Sequence, residues 1–308
     1  YYGEAEKAAR EAIELQRKTP FACHVMAHVI EETKEAGEGV EFLTGSRGDW
    51  SDTVYNNHLT WHLTLYHLGG CGSVTLVELG DTEAVLNEYD TILVKSVTPD
   101  NRLGLLDASS LLWRLNLMGV DVGNRWQRIT DSLRIHIGKH GSSWYDAHLM
   151  FSLCHGRLCE ETARLALARE MVKSVEEYAK NGGSYDSSVS EMVGVPCCNA
   201  LLAYGEEKYD EVVSLLVPLR YDLHRLGGSW AQRQVFNLTM IQAAVNARDI
   251  PMAMALVAEL KAQKPQCRSL SSLFNSLKTT YDAKNTTPTD HTPSSPARKK
   301  PRTEQDNS

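Results

Sequence analysis

The sequence YYGEAEKAAREAIELQRKTP (residues 1–20) gives the first indication of how this chain folds. Its aromatic and small residues recur at spacings of three and four, which places them on one face of a helix: Tyr2, Ala5, Ala9 and Ala12. Small side chains on that face allow a second helix to approach closely, and Pro20 closes the unit. This pattern is typical of one helix in a helical repeat array.

Similar helical patterns follow along the rest of the chain, with a period near 40 residues. Gly37 and Gly39 are expected to end the helix that starts at Phe21, and Ser51 or Asp52 to cap the next one. No stretch alternates with period two for long enough to predict a sheet. The first predicted helix carries Tyr2 to Ala12 and ends before Pro20. The other predicted helices cover 21–34, 52–68, 80–97, 102–117, 124–138, 144–155, 160–180, 187–204, 208–225, 231–247 and 251–262.

The composition is that of an ordinary globular protein of 308 residues. The formal net charge of −7 gives no overall basic surface for nucleic acid, and no apolar run reaches the length of a membrane span. Seven cysteines without regular spacing favour buried thiols in a reduced compartment. We therefore expect a cytoplasmic protein that binds neither nucleic acid nor membranes.

The composition changes near both ends of the chain and at one internal point. The chain starts on a helical pattern without Met, which suggests that it lacks its natural beginning. A Gly-rich insert occupies residues 70–79. The helical domain is expected over 1–280, and a disordered tail rich in Pro, Ser and Thr over 281–308. In that tail, Arg298–Arg302 is either a nuclear-import signal or a solvated basic run.

Two histidine doublets mark the candidate site. His24 and His28 stand four residues apart, as do His58 and His62, so each pair shares a helix face. Facing helices in a repeat array lie about 8 to 10 Å apart, so the two pairs can meet. The other pocket candidates lie on or beside these stripes: Glu31, Asn57, Trp61 and Tyr66.

Three interpretations of the histidines remain open. They are buried structural residues, or a pocket for a small ligand or a reaction, or ligands of Zn²⁺. The structural interpretation is favoured because nothing matches H-E-x-x-H and because the third and fourth ligands would have to come from different helices. No cofactor fingerprint is present, so no cofactor is predicted.

Three further groups contain candidate site residues. Asp146 and His148 resemble a base with the carboxylate that orients it, although an inter-repeat polar network explains them as well. Arg114 and Asp107 could extend the same pocket. Gln232 and Arg233 lie in a first helical turn, where an anion could bind, but capping and an ion pair explain them too.

Several longer stretches of the chain have a familiar pattern: HVMAHVIE (24–31), NHLTWH (57–62), LLDASSLLWRL (105–115), GNRWQ (123–127), DAH (146–148), VGVPCCNAL (193–201) and LGGSWAQRQVF (226–236). Through these stretches the chain resembles the tetratricopeptide repeat protein 38 family, from Tyr2 to about Ala262. The resemblance implies an α-helical repeat protein without a settled activity. The chain departs from the family in lacking an N-terminal region, in the insert, and in the tail after Lys264.

These observations predict an all-α, tetratricopeptide-like solenoid that acts as an interaction scaffold and binds a protein or peptide in its concave groove. The alternative is an enzyme, or a protein that binds a small ligand or metal, using His24, His28, His58 and His62.

Overall fold

The computed structural model describes residues 1–69, 80–155, 161–265 and 267–285, and every regular element within these ranges is helical. The all-α prediction is therefore confirmed. The helices are α1 (Tyr2–Leu15), α2 (Pro20–Thr33), α3 (Ala36–Gly45), α4 (Arg47–Trp50), α5 (Asn56–His67), α6 (Thr82–Glu88), α7 (Val94–Ser96), α8 (Arg102–Leu117), α9 (Arg125–Leu133), α10 (Ser143–Cys154), α11 (Glu161–Asn181), α12 (Tyr185–Val189), α13 (Val195–Gly205), α14 (Tyr209–Leu216), α15 (Trp230–Asn246), α16 (Ile250–Gln263) and α17 (Arg268–Asn285).

The predicted insert at 70–79 lies outside the described residues. So does the predicted tail from residue 286 onward, which includes the basic run Arg298–Arg302. The last helix, α17, continues to Asn285 and so passes the predicted domain boundary at 280.

An inner row of helices forms the centre of the molecule, because α2 packs on α5, α5 on α8, α8 on α10 and α10 on α13. Helix α10 is buried along its whole length, and α5 is buried from His58 to Tyr66. Apolar residues all round a helix are expected where neighbours cover every side of it.

Helix α15, which lies much later in the chain, also contacts α8. Trp113 Nε1 donates a hydrogen bond to Thr239 Oγ1 at 2.9 Å, and the Arg114 guanidinium donates to the Ala231 carbonyl at 2.7 Å. Side chains of the protein itself therefore fill the space between these two helices.

Two predicted helix boundaries are wrong in the N-terminal part. Gly37 and Gly39 do not end a helix but lie inside α3, and α5 begins at Asn56 instead of at Ser51 or Asp52. Gly39 lies under the ring of Tyr66, where a Cβ atom would come within 2.5 Å of ring carbons. The glycine therefore serves close packing of α3 on α5 and does not act as a helix stop.

The helix predicted over 187–204 also differs from the structure. It begins at Tyr185, with Ser184 forming a capping box, and a π-helical turn at Ser190–Gly194 separates α12 from α13. Pro196 lies in the first turn of α13 and has no N–H to donate, which explains why the α-helical ladder is interrupted there.

Two hydrophobic clusters meet at α5. Leu59 and Leu63 belong to the cluster formed with α1 to α4, whereas Trp61 and Leu65 belong to the large cluster that extends to α17. One helix thus joins the N-terminal unit to the rest. The five cysteines in the described ranges are buried: Cys23, Cys154, Cys197, Cys198 and Cys267.

Candidate metal centre

The four histidines of the two doublets meet where α2 packs on α5. Spacings of four place His24 and His28 on one face of α2, and His58 and His62 on the facing side of α5. One ring nitrogen from each histidine can be chosen so that all four lie within 4.8 Å of one another.

The individual contacts are close. His24 Nε2 and His28 Nε2 lie 3.0 Å apart, and the ring centroids of His24 and His62 are separated by 5.3 Å. His28 and His62 meet edge to face at 4.6 Å, and so do His24 and His58 at 4.9 Å. The four rings therefore enclose a single small space.

Carboxylates lie behind the two histidines of α5. His58 Nδ1 is 2.9 Å from Asp107 Oδ2 on α8, and His62 Nδ1 is 3.7 Å from Glu31 Oε2 on α2. The hydrogen bond to Asp107 fixes the orientation of the His58 ring and leaves its Nε2 as the available ligand atom, whereas 3.7 Å is too long for a hydrogen bond between Glu31 and His62.

Burial sets the charge of the cluster. It lowers the pKa of His24 to about 3 and that of His28 to about 4, in each case with help from His58. It also lowers the pKa of His62 well below its usual value. For His58, burial acts in the same direction, but the Asp107 carboxylate outweighs it and the pKa is raised. Three of the four imidazoles are therefore neutral at physiological pH.

Several buried polar atoms at the centre have no hydrogen-bond partner. They include both ring nitrogens of His62 and both carboxylate oxygens of Glu31. Leaving one such atom unsatisfied costs about 1–3 kcal/mol, so a further group that contacts His62 would remove a real penalty.

The rings of Trp61 and Tyr55 border the cluster. Trp61 stacks on His58 with an interplanar angle of 7°, and its Nε1 donates to Ser110 Oγ. Tyr55 lies 5.5 Å from His24, centroid to centroid. His24 and His28 are half-buried, whereas His62 is fully buried, so the centre approaches solvent on its α2 side.

Glu31 also contacts a lysine from the far end of the chain. Lys264 Nζ lies 3.8 Å from Glu31 Oε1 and 3.4 Å from Glu32 Oε1, and it donates to the Glu31 carbonyl. Burial raises the pKa of Glu31 to about 7, although Lys264 opposes that rise. The C-terminal end of α16 thus packs beside the histidine cluster.

The remaining candidates near the cluster have other environments. Asn57 is half-buried in the first turn of α5. Tyr66 donates its hydroxyl hydrogen to the Ala27 carbonyl and packs over Gly39. Arg114 does not pair with Asp107; it lies over the Trp61 ring and donates to the Ser110 carbonyl and to α15.

Asp146 and His148 do not form the predicted pair. His148 Nδ1 donates to the Trp144 carbonyl, and its ring packs among Trp144, Phe151 and Phe236. Asp146 Oδ2 instead accepts from His140 Nδ1 at 3.1 Å. Residues two apart on a helix point in different directions, which explains this separation.

Gln232 and Arg233 have partners within the turn before α15. Gln232 Oε1 accepts from the Ser229 N–H in a capping box, and Arg233 donates to the carbonyls of Gly227 and Gly228. These contacts stabilise the start of the helix. Anion binding at this turn stays a prediction.

Two residues of the centre cannot be identified as such from the sequence. There Asp107 is only a neighbour of Arg114, and Lys264 only marks the point where the resemblance ends. Neither has a local signal, because Asp107 lies 49 residues from its partner His58, and Lys264 lies 233 residues from Glu31.

No family model matches this chain, and neither does any solved structure. Among the described helices, none has both the length and the apolar character needed to cross a membrane.

Proposed function

We propose that this protein binds a first-row transition metal ion, zinc in the first place, through His24, His28, His58 and His62. The observation that carries the proposal is the convergence of four ring nitrogens, from two helices, within 4.8 Å of one another. Neutral imidazole is the commonest metal ligand among side chains and suits zinc, copper, iron and nickel.

The distances fit a bound ion. Zn–N bonds of about 2.0–2.1 Å in a tetrahedron place the ligand nitrogens about 3.4 Å apart. The Nε2 atoms of His24 and His28, at 3.0 Å, are slightly closer than this value. The other separations among the four chosen nitrogens reach at most 4.8 Å, which is longer than the value. Small changes in side-chain torsions therefore suffice to form the site.

The surroundings also fit. A metal-bound histidine usually donates its other ring N–H to a carboxylate, and Asp107 and Glu31 lie beside His58 and His62 in that position. An ion bound at His62 would also satisfy a ring nitrogen that otherwise has no partner.

The position of the centre suggests a structural role for the ion. Four nitrogen ligands fill a tetrahedral shell, and closed shells are typical of structural zinc. Here the ion would tie α2 to α5, between the N-terminal cluster of helices and the large core. Ligand binding of this kind stabilises the folded state by about 2.7 kcal/mol at a free metal concentration 100 times the Kd.

The test is the metal content of the purified full chain, measured by mass spectrometry beside a His28→Gln, His62→Gln double variant. We expect near-stoichiometric zinc in the protein and its loss in the variant. The metal-free protein titrated with Co²⁺ should develop the visible bands of tetrahedral cobalt.

The matched control is His224→Gln, which changes an exposed histidine outside the cluster. It should keep the metal. Absence of metal from the protein, together with no cobalt spectrum and no thermal shift on adding Zn²⁺, would contradict the proposal and leave the histidines as structural residues.

We also propose that the helices form a tetratricopeptide-like repeat array related to the family that the sequence resembles. Its support is the succession of packed pairs, such as α1 with α2, α13 with α14 and α15 with α16. Partner binding in a concave groove stays a proposal. Because α8 and α15 contact each other, the space between those two helices does not supply such a groove.

A further inference from the structure

A second polar cluster lies outside the metal centre, between the loop before α10 and the middle of α11. His140 is its central residue. His140 Nδ1 lies 3.1 Å from Asp146 Oδ2, and His140 Nε2 lies 2.7 Å from Ser174 Oγ. A carboxylate, an imidazole and a hydroxyl are thus connected in the order that activates a serine nucleophile.

The carboxylate and the ring that it contacts are both shielded from solvent. The Asp146 side chain is fully buried, and the side chain of His140 is 5% exposed. With Nδ1–H donated to Asp146, the Nε2 lone pair faces the Ser174 hydroxyl, which is the tautomer that can accept a proton from Oγ.

The Ser174 hydroxyl contacts a side chain from another part of the chain. Several helical hydroxyls elsewhere donate to a carbonyl of their own helix, as in Thr33, Thr91 and Ser214. Ser174 Oγ contacts His140 Nε2 instead. A serine in a helix has a local carbonyl available, so a contact with imidazole across two elements requires a tertiary cause.

The serine is accessible from the surface. Ser174 is half-buried, and the neighbouring loop residues Gly138, Lys139 and Gly141 are exposed. Gly138 has a φ of +80°, and a Cβ atom at that position would lie 3.6 Å from Ser174 Oγ. A glycine backbone in the left-handed region therefore lies against the hydroxyl, where a larger side chain would cover it.

We propose that Ser174, His140 and Asp146 form a second site that transfers acyl groups from esters or thioesters. Ser174 Oγ would attack the carbonyl carbon and His140 Nε2 would take its proton, while Asp146 acts as a positioning residue. The C–O or C–S bond then breaks, and the leaving alcohol or thiol takes the proton from His140. Water attacks the acyl-serine by the same route and releases a carboxylic acid.

The test uses a fluorophosphonate probe on the full chain, followed by intact mass and peptide mapping. The Ser174 Oγ–P bond forms as the P–F bond breaks, fluoride leaves, and the serine proton passes to His140. We expect one adduct on Ser174. Ser174→Ala should abolish it, and His140→Gln should slow it by about 100-fold or more.

Two further variants separate catalysis from folding. Ser214→Ala removes an exposed helical hydroxyl that bonds only to its own helix, and it should leave labelling unchanged. Asp146→Asn should slow labelling, and Asp146→Glu should restore part of it, whereas a merely structural carboxylate would give no such recovery. Circular dichroism shows which variants fold.

The proposal is overturned if the folded wild-type chain acquires no adduct under conditions that label trypsin fully. It is also overturned if the adduct persists in Ser174→Ala, or if a folded His140→Gln chain labels at the wild-type rate. None of these outcomes bears on the metal centre, because no histidine is shared between the two sites.

Discussion

Glu31 Oε2 lies 3.7 Å from His62 Nδ1, and both side chains are almost completely shielded from solvent. A buried carboxylate without hydrogen bonds is costly unless a charge or a donor compensates it. Lys264 supplies one such charge at 3.8 Å, and a metal-bound His62 would supply a polarised N–H. The stability of the N-terminal helices is thus linked to the proposed ion and to α16.

The carboxylates behind the ligands should control metal affinity. We predict that Asp107→Asn lowers zinc affinity by about 10–100-fold, because an amide fixes the orientation of His58 less well than a carboxylate does. Competition against a chelating dye measures the change. Glu41→Gln changes an exposed glutamate on α3 and should have no effect, so equal affinities for the two variants would contradict the assignment of Asp107.

Removing Lys264 should destabilise the protein. We predict that Lys264→Met costs about 1–3 kcal/mol, because it removes the donor to the buried Glu31 carbonyl and the charge that opposes the rise of the Glu31 pKa. The double variant Lys264→Met, Glu31→Leu should recover much of this loss, since the two changes remove the charges together. Urea unfolding of the two variants measures both effects, and additive losses would show that the pair does not interact.

Two glycines of α3 should respond in opposite ways to substitution. Gly39→Ala brings a Cβ atom to 2.5 Å from the Tyr66 ring, so we predict a loss of about 1–3 kcal/mol. Gly37→Ala meets no atom within 4 Å and should stabilise the helix by about 0.5–1 kcal/mol. Thermal unfolding of the two variants measures both effects. Equal changes in Tm for the two variants would contradict close packing of α3 on α5.

His148 should make stability depend on pH. Burial lowers its pKa to about 3 in the folded state, against about 6.5 when unfolded. Between these values the unfolded chain binds more protons, so stability is present above pH 6.5 and is lost as the pH falls below it. The expected loss is about 1.4 kcal/mol per pH unit from this residue.

The variant His148→Phe isolates this effect. Phenylalanine fits among Trp144, Phe151 and Phe236 and cannot take up a proton. Unfolding free energies measured from pH 7 to pH 5 should fall less steeply in the variant than in the wild type. Identical slopes would show that His148 is not the buried neutral group that the structure indicates.

The sequence by itself determined the helical class, several helix limits and the two histidine stripes. The range 102–117 predicted for a helix agrees with α8 at Arg102–Leu117, because the apolar pattern of this helix is a local signal. The shared face of His24 and His28, and that of His58 and His62, are also predictable from the sequence, because residues four apart on a helix point in the same direction.

The tertiary structure alone decided which groups surround those stripes. Asp107 and Lys264 reach the histidine cluster from α8 and from the end of α16, and His140 and Ser174 meet across 34 residues. Gly37 and Gly39 look like helix stops, but packing of Tyr66 on Gly39 keeps them inside α3. Local propensities are worth less than about 1 kcal/mol per residue, and burial against a neighbouring helix exceeds that amount. Contacts between residues far apart in the sequence therefore outweigh local helix signals, and only the tertiary structure shows which contacts form.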